Sequence, residues 1–193
     1  VMLPEPNSVV AVSTADPSGS LQGGTLMEMN STGSGGRAVA EPLDAAFCYF
    51  NPESDMGDAE IWERGFPVTY IGRKFLRNYH APGASRGAEA WGSIFLVQGD
   101  FMYAVMFPAW IAGIVPGLKG LFGGYPAPPS VGFVIRNTNV EELIRRGIPL
   151  PRDIQELMDY LDRGILKAED VRFYRSHAQT PPMKSGDLFG IVY

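Results

Sequence analysis

The carboxylates Glu53, Asp55, Asp58 and Glu60 crowd into the run Asn51 to Glu60, which also holds Gly57. Oxygen donors at this density suit a hard cation such as Mg²⁺ or Ca²⁺. They can equally orient a basic loop of a partner, or cap the next helix, a common duty of Asp and Ser. The spacing Asp55-x-x-Asp58-x-Glu60 does not follow an EF-hand loop, and the residue types favour capping and hydrogen bonding over metal. Asp58 or Ser54 is expected to start one or two helical turns over AEIWERG, closed by Gly65.

Other reactive side chains are sparse. His80 and His177 lie far apart, and no HxH, HxxE or HxxxH spacing surrounds either one. A metal site needs three or four oriented ligands, so both histidines are expected in structural hydrogen bonds and no metal site is expected in this chain. His80 does share a loop with Arg86, and both stay weak catalytic candidates beside Asp55, Asp58 and Glu60. No GxSxG elbow points to a Ser–His–Asp triad. Cys48, the single cysteine, sits in AAFCYF, where a buried inert thiol is expected. The tract STGSGG (31–36) offers backbone N–H groups but lacks the GK[ST] ending of a phosphate-binding loop. Arg136, after an apolar strand, is expected to clamp a carboxylate, with the acidic turn one source.

The elements that must position these groups are short. Glycine (23) and proline (16) are about a fifth of the chain, which favours turns and brief strands over long helices. Residues 7–15 read as a first strand, and the Gly/Ser-rich stretch after it as irregular structure packed on a surface. A short helix is expected after Pro42. FPVTYIGRKF alternates as a strand, with Val68, Tyr70, Gly72 and Lys74 on one face and Thr69, Ile71, Arg73 and Phe75 on the other. SIFLVQGDFMYAVMF reads as a hairpin turning at Gln98–Asp100. Asn139 is expected to cap VEELIRRG. In the next helix Ile154, Leu157, Met158 and Leu161 form a stripe facing the core. KAEDVRFYRSHAQT and GDLFGIVY supply the last strands. The fold expected is α+β and β-rich, with many short strands, Gly-rich loops and two short helices in the C-terminal third. It is organised either as a single domain over 1–193 or as part of a split subunit, with 1–36 as an extended lead-in.

The bulk numbers agree with a globular chain: 45% hydrophobic and 19% charged. A net charge of −5 argues against a nucleic-acid partner, and the cluster Arg73, Lys74, Arg77 is too short to reverse that. The longest apolar run, FMYAVMFPAWIAGIVPGL, is broken by Pro108 and Pro116, so a membrane span is not expected. One cysteine and no visible leader fit a reducing cytoplasm. A strand-like run reaching Tyr193 fits a piece of something larger, or a segment tucked into a partner.

The run NPESDMGDAEIWERGFPVTYIGRKFLRN, followed by APGASRGAEAWGSIFLVQGD, resembles the carboxy-terminal half of hydantoinase B-type subunits. The family's loop GxGKxRGG is matched by Pro82 to Ala88, which keeps Arg86 and Gly87 but lacks the basic residue before them and the second glycine of RGG. LFGGYPAPPSVGFVIRNTN looks like the version in acetone and acetophenone carboxylase large subunits. TPPMKSGDLFGIVY is similar to the family's P-x-x-x-GD strand, although the Gly-rich GGGYGDP segment that usually follows is not present. The resemblance implies a subunit of an ATP-dependent ketone carboxylase using bicarbonate. Its alternatives are a hydantoinase or 5-oxoprolinase-type cyclic-amide hydrolase subunit, or a non-catalytic scaffold. It implies ATP and Mg bound by a hydantoinase A-like partner, a divalent transition metal in another chain, and the remaining part of the hydantoinase B-like subunit as a further partner. The small-molecule substrate would be a ketone or a cyclic amide.

Overall fold

A computed structural model describes residues 9–15, 21–26, 35–37, 39–40, 42, 44, 58–100, 102–107, 123–175 and 178–192. The nine strands are β1 (Val9–Ala15), β2 (Leu21–Leu26), β3 (Val68–Phe75), β4 (Trp91–Val97), β5 (Tyr103–Phe107), β6 (Val131–Arg136), β7 (Asp170–Tyr174), β8 (Ala178–Gln179) and β9 (Leu188–Val192). Among the described residues three short helices join them: α1 (Ala59–Gly65), α2 (Val140–Arg145) and α3 (Ile154–Asp162). One sheet runs β2-β1-β5-β8 and the other β3-β4-β9-β6-β7. Their neighbouring strands are antiparallel. The β-rich α+β expectation therefore holds, with α2 and α3 as the two helices of the C-terminal third. The short helix expected after Pro42, Cys48 and most of the Gly/Ser tract lie outside the described residues.

The five-stranded sheet buries both faces. Val68, Phe95, Val97, Val134 and Phe189 line one face with Met102 and Met183. Ile94, Leu96, Phe133, Ile135 and Leu188 line the other, under Val140 and Leu143 of α2 and Leu157 of α3. Strands sandwiched in this way read as continuous apolar runs rather than alternating ones, which is why WGSIFLV and LFGIV are buried along their whole length. Each large apolar side chain so enclosed contributes about 1.5–3 kcal/mol.

Four expectations need correction. β4 and β5 form no hairpin: β4 already has β3 and β9 on its two edges, so β5 crosses to the other sheet and pairs with β1. The stretch after the first strand is not irregular at residues 21–26. Residues 21–26 pair with β1 in the register Val10↔Leu26 to Ala15↔Leu21, because a ladder neighbour outweighs the poor strand propensity of Gly23 and Gly24. In β3 the simple alternation breaks at a bulge between Tyr70 and Gly72. Ile71 is the extra residue there and turns into the helix-side core, so Arg73 follows Tyr70 onto the opposite face and lies over the rings of Tyr70 and Trp91 at 5.4 and 4.7 Å. In α3 the stripe is narrower than expected. Leu157 is buried, with Ile154 and Leu161 against the core, but Met158 is 40% exposed.

The bulge leaves Lys74 pointing toward α3, where its Nζ donates to Asp153 Oδ2 at 2.7 Å. Asp153 is the N-cap of α3, and its other oxygen accepts the Glu156 N–H at 2.8 Å. Arg152 in turn holds Glu156, with Nη2 to Oε1 at 2.7 Å. Burial would raise the Asp153 carboxyl, but the Lys74 and Glu156 donors outweigh it and hold the carboxyl below its ordinary range. Hydrogen bonding from Arg152 pulls Glu156 down to about 2. A carboxylate depressed in the folded state adds stability above its unfolded pKa and loses it as pH falls through the folded one. The α3 region is thus expected to hold full stability above about pH 4.5 and to lose it progressively toward pH 2. Denaturant midpoints across that range, for the wild type and Asp153→Ala, test this: the variant's acid dependence should be shallower. Equal slopes would disprove the link.

Candidate functional site

The turn just before β9 has the sequence Lys184-Ser-Gly-Asp187, and its geometry explains each residue. Gly186 takes φ +90°, a conformation that side-chain-bearing residues rarely adopt. Asp187 is only 1% exposed. Its Oδ2 accepts the Lys184 N–H at 3.0 Å and closes the turn on itself. Its Oδ1 accepts the Asn137 N–H at 2.8 Å, which ties the turn to the end of β6. Asn137 also has positive φ, +53°, and its side chain donates to Glu169 at 2.8 Å. Thr138 donates its hydroxyl to the Gly186 carbonyl and accepts the Val140 N–H at 3.2 Å, at the start of α2.

Two turns locked together in this way leave an open cleft of about 570 Å³, edged by Asp100, Thr138, Glu141, Glu169, Lys184 and Asp187. Its walls carry one amine among several carboxylates, so it favours polar or cationic groups over apolar ones. The sequence reading passed over it except as a P-x-x-x-GD pattern (Pro182, Gly186, Asp187). The usable signal was a lysine and an aspartate flanking Ser-Gly directly before an apolar strand.

Beside the cleft, Arg136 performs the clamp expected of it. The partner is Asp170 on the adjacent strand, with Nε at 3.0 Å and Nη2 at 2.6 Å. Asp170 also accepts from Arg172 Nε at 2.9 Å, and hydrogen bonds from Arg172 and Arg136 together lower its pKa. Asn139 stands at the start of α2 without a side-chain cap. Its amide instead receives the Lys167 N–H at 2.8 Å and donates to the Ile165 carbonyl at 3.1 Å, pinning the loop after α3.

The candidates named from sequence fall on two other features. Asp58 caps α1, its Oδ1 accepting the Glu60 N–H at 3.0 Å. Glu60 is exposed in the first turn. The chain after α1 enters Phe66 in extended conformation, so Gly65 is the last helical residue. Arg86 and His80 share the loop between β3 and β4. Arg86 Nη1 donates to the Gly87 carbonyl at 3.1 Å and, more weakly, to Asp44 at 3.4 Å. Asp44 also accepts the Glu89 N–H at 2.8 Å. The Ala81 carbonyl accepts the Gly87 N–H at 2.8 Å and lies 3.3 Å from His80 Nδ1. A side chain at Gly36 would collide with the backbone at Ser85 and Arg86, so the glycine there serves close packing onto this loop. Asp55, Glu53 and His177 lie outside the described residues. Among the described residues, no three His, Cys, Asp or Glu side chains come together in a way that could hold a metal ion.

The family model for hydantoinase B/oxoprolinase matches residues 5–192. The chain belongs to the hydantoinase B/oxoprolinase family. Relatives in that family include the acetone carboxylase alpha subunit of Xanthobacter autotrophicus, 36% identical over 124 residues, which cover 64% of this chain and 16% of that protein. The fold is that of a part of acetone carboxylase in its nucleotide-free structure: TM-score 0.76, 23% identity, 98% of this chain and 25% of that one. The ATP-dependent caprolactamase from Pseudomonas jessenii is more distant, with a TM-score of 0.56 and 14% identity over 95% of this chain and 27% of that one. The chain therefore spans a quarter or less of the first relatives it matches. Among the described residues, no helix is long and apolar enough to cross a membrane.

Proposed function

We propose that this hydantoinase B-type chain is part of an ATP-dependent ketone carboxylase that consumes bicarbonate, with acetone or acetophenone as the substrate type. The observation that carries this reading is the 36% identity to an acetone carboxylase alpha subunit. The fold agrees better with acetone carboxylase than with the caprolactamase, at TM-scores of 0.76 and 0.56. The likeness to that lactam-opening enzyme favours a second reading, a cyclic-amide hydrolase subunit.

Among the described residues no group of three His, Cys, Asp or Glu side chains is arranged to hold a metal ion. In this reading ATP and Mg sit on a hydantoinase A-like partner, any transition metal sits on another part of the assembly, and the protein works in the cytoplasm. The role proposed for this chain is to shape and brace the assembly. The contacts of Arg86 with the Gly87 carbonyl and Asp44 support a loop-holding role, and the Asp58 cap on α1 a structural one.

The test uses the chain assembled with the other subunits of its source. With ATP, acetone and labelled bicarbonate, label should enter acid-stable product, and a lactam or hydantoin should stay closed. Ring opening without label fixation would replace the proposal with the second reading. Arg86→Ala, within an intact assembly, should retain turnover within about threefold, the span of 0.7 kcal/mol. A thousandfold loss there would make Arg86 catalytic and end the bracing role.

A further inference from the structure

The two edges of the five-stranded sheet are built in opposite ways. The β3 edge is blunted: it carries the bulge at Ile71, the charges of Arg73 and Lys74, and a backbone N–H, that of Tyr70, taken by Glu63 of the adjacent α1 at 2.7 Å. Bulges, lysines and covering helices are the usual means of stopping an edge from pairing further. The β7 edge has no bulge and no lysine, and its charges, Asp170 and Arg172, are drawn into ion pairs on one face. Its five residues run straight, in register with β6 from Gly132↔Tyr174 to Arg136↔Asp170. Among the described residues no strand lies beyond it.

The side chains of β7 divide by face. Asp170, Arg172 and Tyr174 lie on one side, where the first two join Arg136 in an ion-pair cluster. Val171 and Phe173 lie on the other, opposite Ile135 and Phe133, which α2 and α3 help to bury. The helical layer ends short of β7. Val171 stays 41% exposed and Phe173 57% exposed.

We infer that β7 is a docking edge for an extended strand from the part of the hydantoinase B-type subunit that lies outside this chain. Three-quarters of the matched acetone carboxylase chain lies outside the aligned part, which gives the occupant a source; this inference rests on the assembly proposed above. The incoming segment pairs through its backbone, as in strand addition to an open sheet. It carries apolar side chains at alternate positions to cover Val171 and Phe173, and polar ones opposite Asp170 and Arg172.

Hydrogen–deuterium exchange on the isolated chain and on the purified assembly tests it. The amides of 170–174 should exchange at least about tenfold more slowly in the assembly, with Phe173→Lys preserving the isolated chain's melting temperature but weakening incorporation about tenfold or more. Unchanged exchange in the assembly, or full incorporation of Phe173→Lys, overturns the docking edge. So does a dimer of the isolated chain that Phe173→Lys dissolves, since the occupant is then a second copy. An assembly that protects β7 but opens lactams in place of fixing bicarbonate overturns only the proposed reaction. One that fixes bicarbonate with β7 unprotected overturns only the docking edge.

Discussion

Gly190→Val is expected to leave the five-stranded sheet unable to form. Gly190 lies in the middle of β9, between β4 and β6. A β-carbon there would run into the Ser93 carbonyl and the ring of Phe133. Neither obstacle can retreat: one is backbone in a central strand, and the other is a buried ring under the helices. Overpacking a well-filled core costs about 1–3 kcal/mol where side chains can shift, and here the main chain would have to move. We expect a loss of at least about 3 kcal/mol, seen as insoluble expression or as a denaturant midpoint shifted to the edge of measurement. Gly65→Val is the control, since that position is open and only helix propensity changes. A Gly190→Val protein with a wild-type midpoint would contradict the packing of β9.

Asp187→Ala is the second large effect. The substitution strips the acceptors from two backbone N–H groups, those of Asn137 and Lys184. Each is a part-buried hydrogen bond to a charged acceptor, worth about 1.5–3 kcal/mol, and water replaces part of the loss at these exposed residues, so we expect about 2–4 kcal/mol in all, measured by urea unfolding. Asp187→Asn keeps one acceptor oxygen and should recover about half of that. The Arg136–Asp170 brace adjoins Asn137, whose N–H Asp187 holds, so the two are coupled and Arg136→Met added to Asp187→Ala should deviate from simple additivity. If Asp187→Ala unfolds like the wild type while the assembly loses turnover, the residue acts on substrate rather than on the turn.

These two positions show what sequence patterns carry. The apolar runs of β4 and β9 are legible because burial on both faces removes alternation. Asp58 is legible as a cap because the chemistry is local: it bonds an N–H two residues further on. Pairing is not local. Nothing in QGD marks that β4 has two other neighbours, so a natural hairpin turn became a crossover. The bulge at Ile71 escaped for a similar reason. It sits beside a close approach of Gly72 to the Arg152 backbone, just before α3 and some eighty residues further along. The acidic run that first drew notice is described only at its end, where Asp58 and Glu60 serve the start of α1. The cleft at Lys184–Asp187 needs four separate segments to meet, and no single one of them advertises it.

The position of β9 also bears on how the protein is made. This strand follows the other four strands of its sheet in synthesis yet sits third of five in space, flanked by β4 and β6. While a ribosome is still adding it, the earlier strands have a gap where their shared neighbour belongs, and pairings across that gap wait on distant contacts. Half-built chains therefore display two open edges at once and are candidates for chaperone capture. Newly made protein should become protease-resistant in one late step, after residue 192 clears the exit tunnel, rather than gradually along its length.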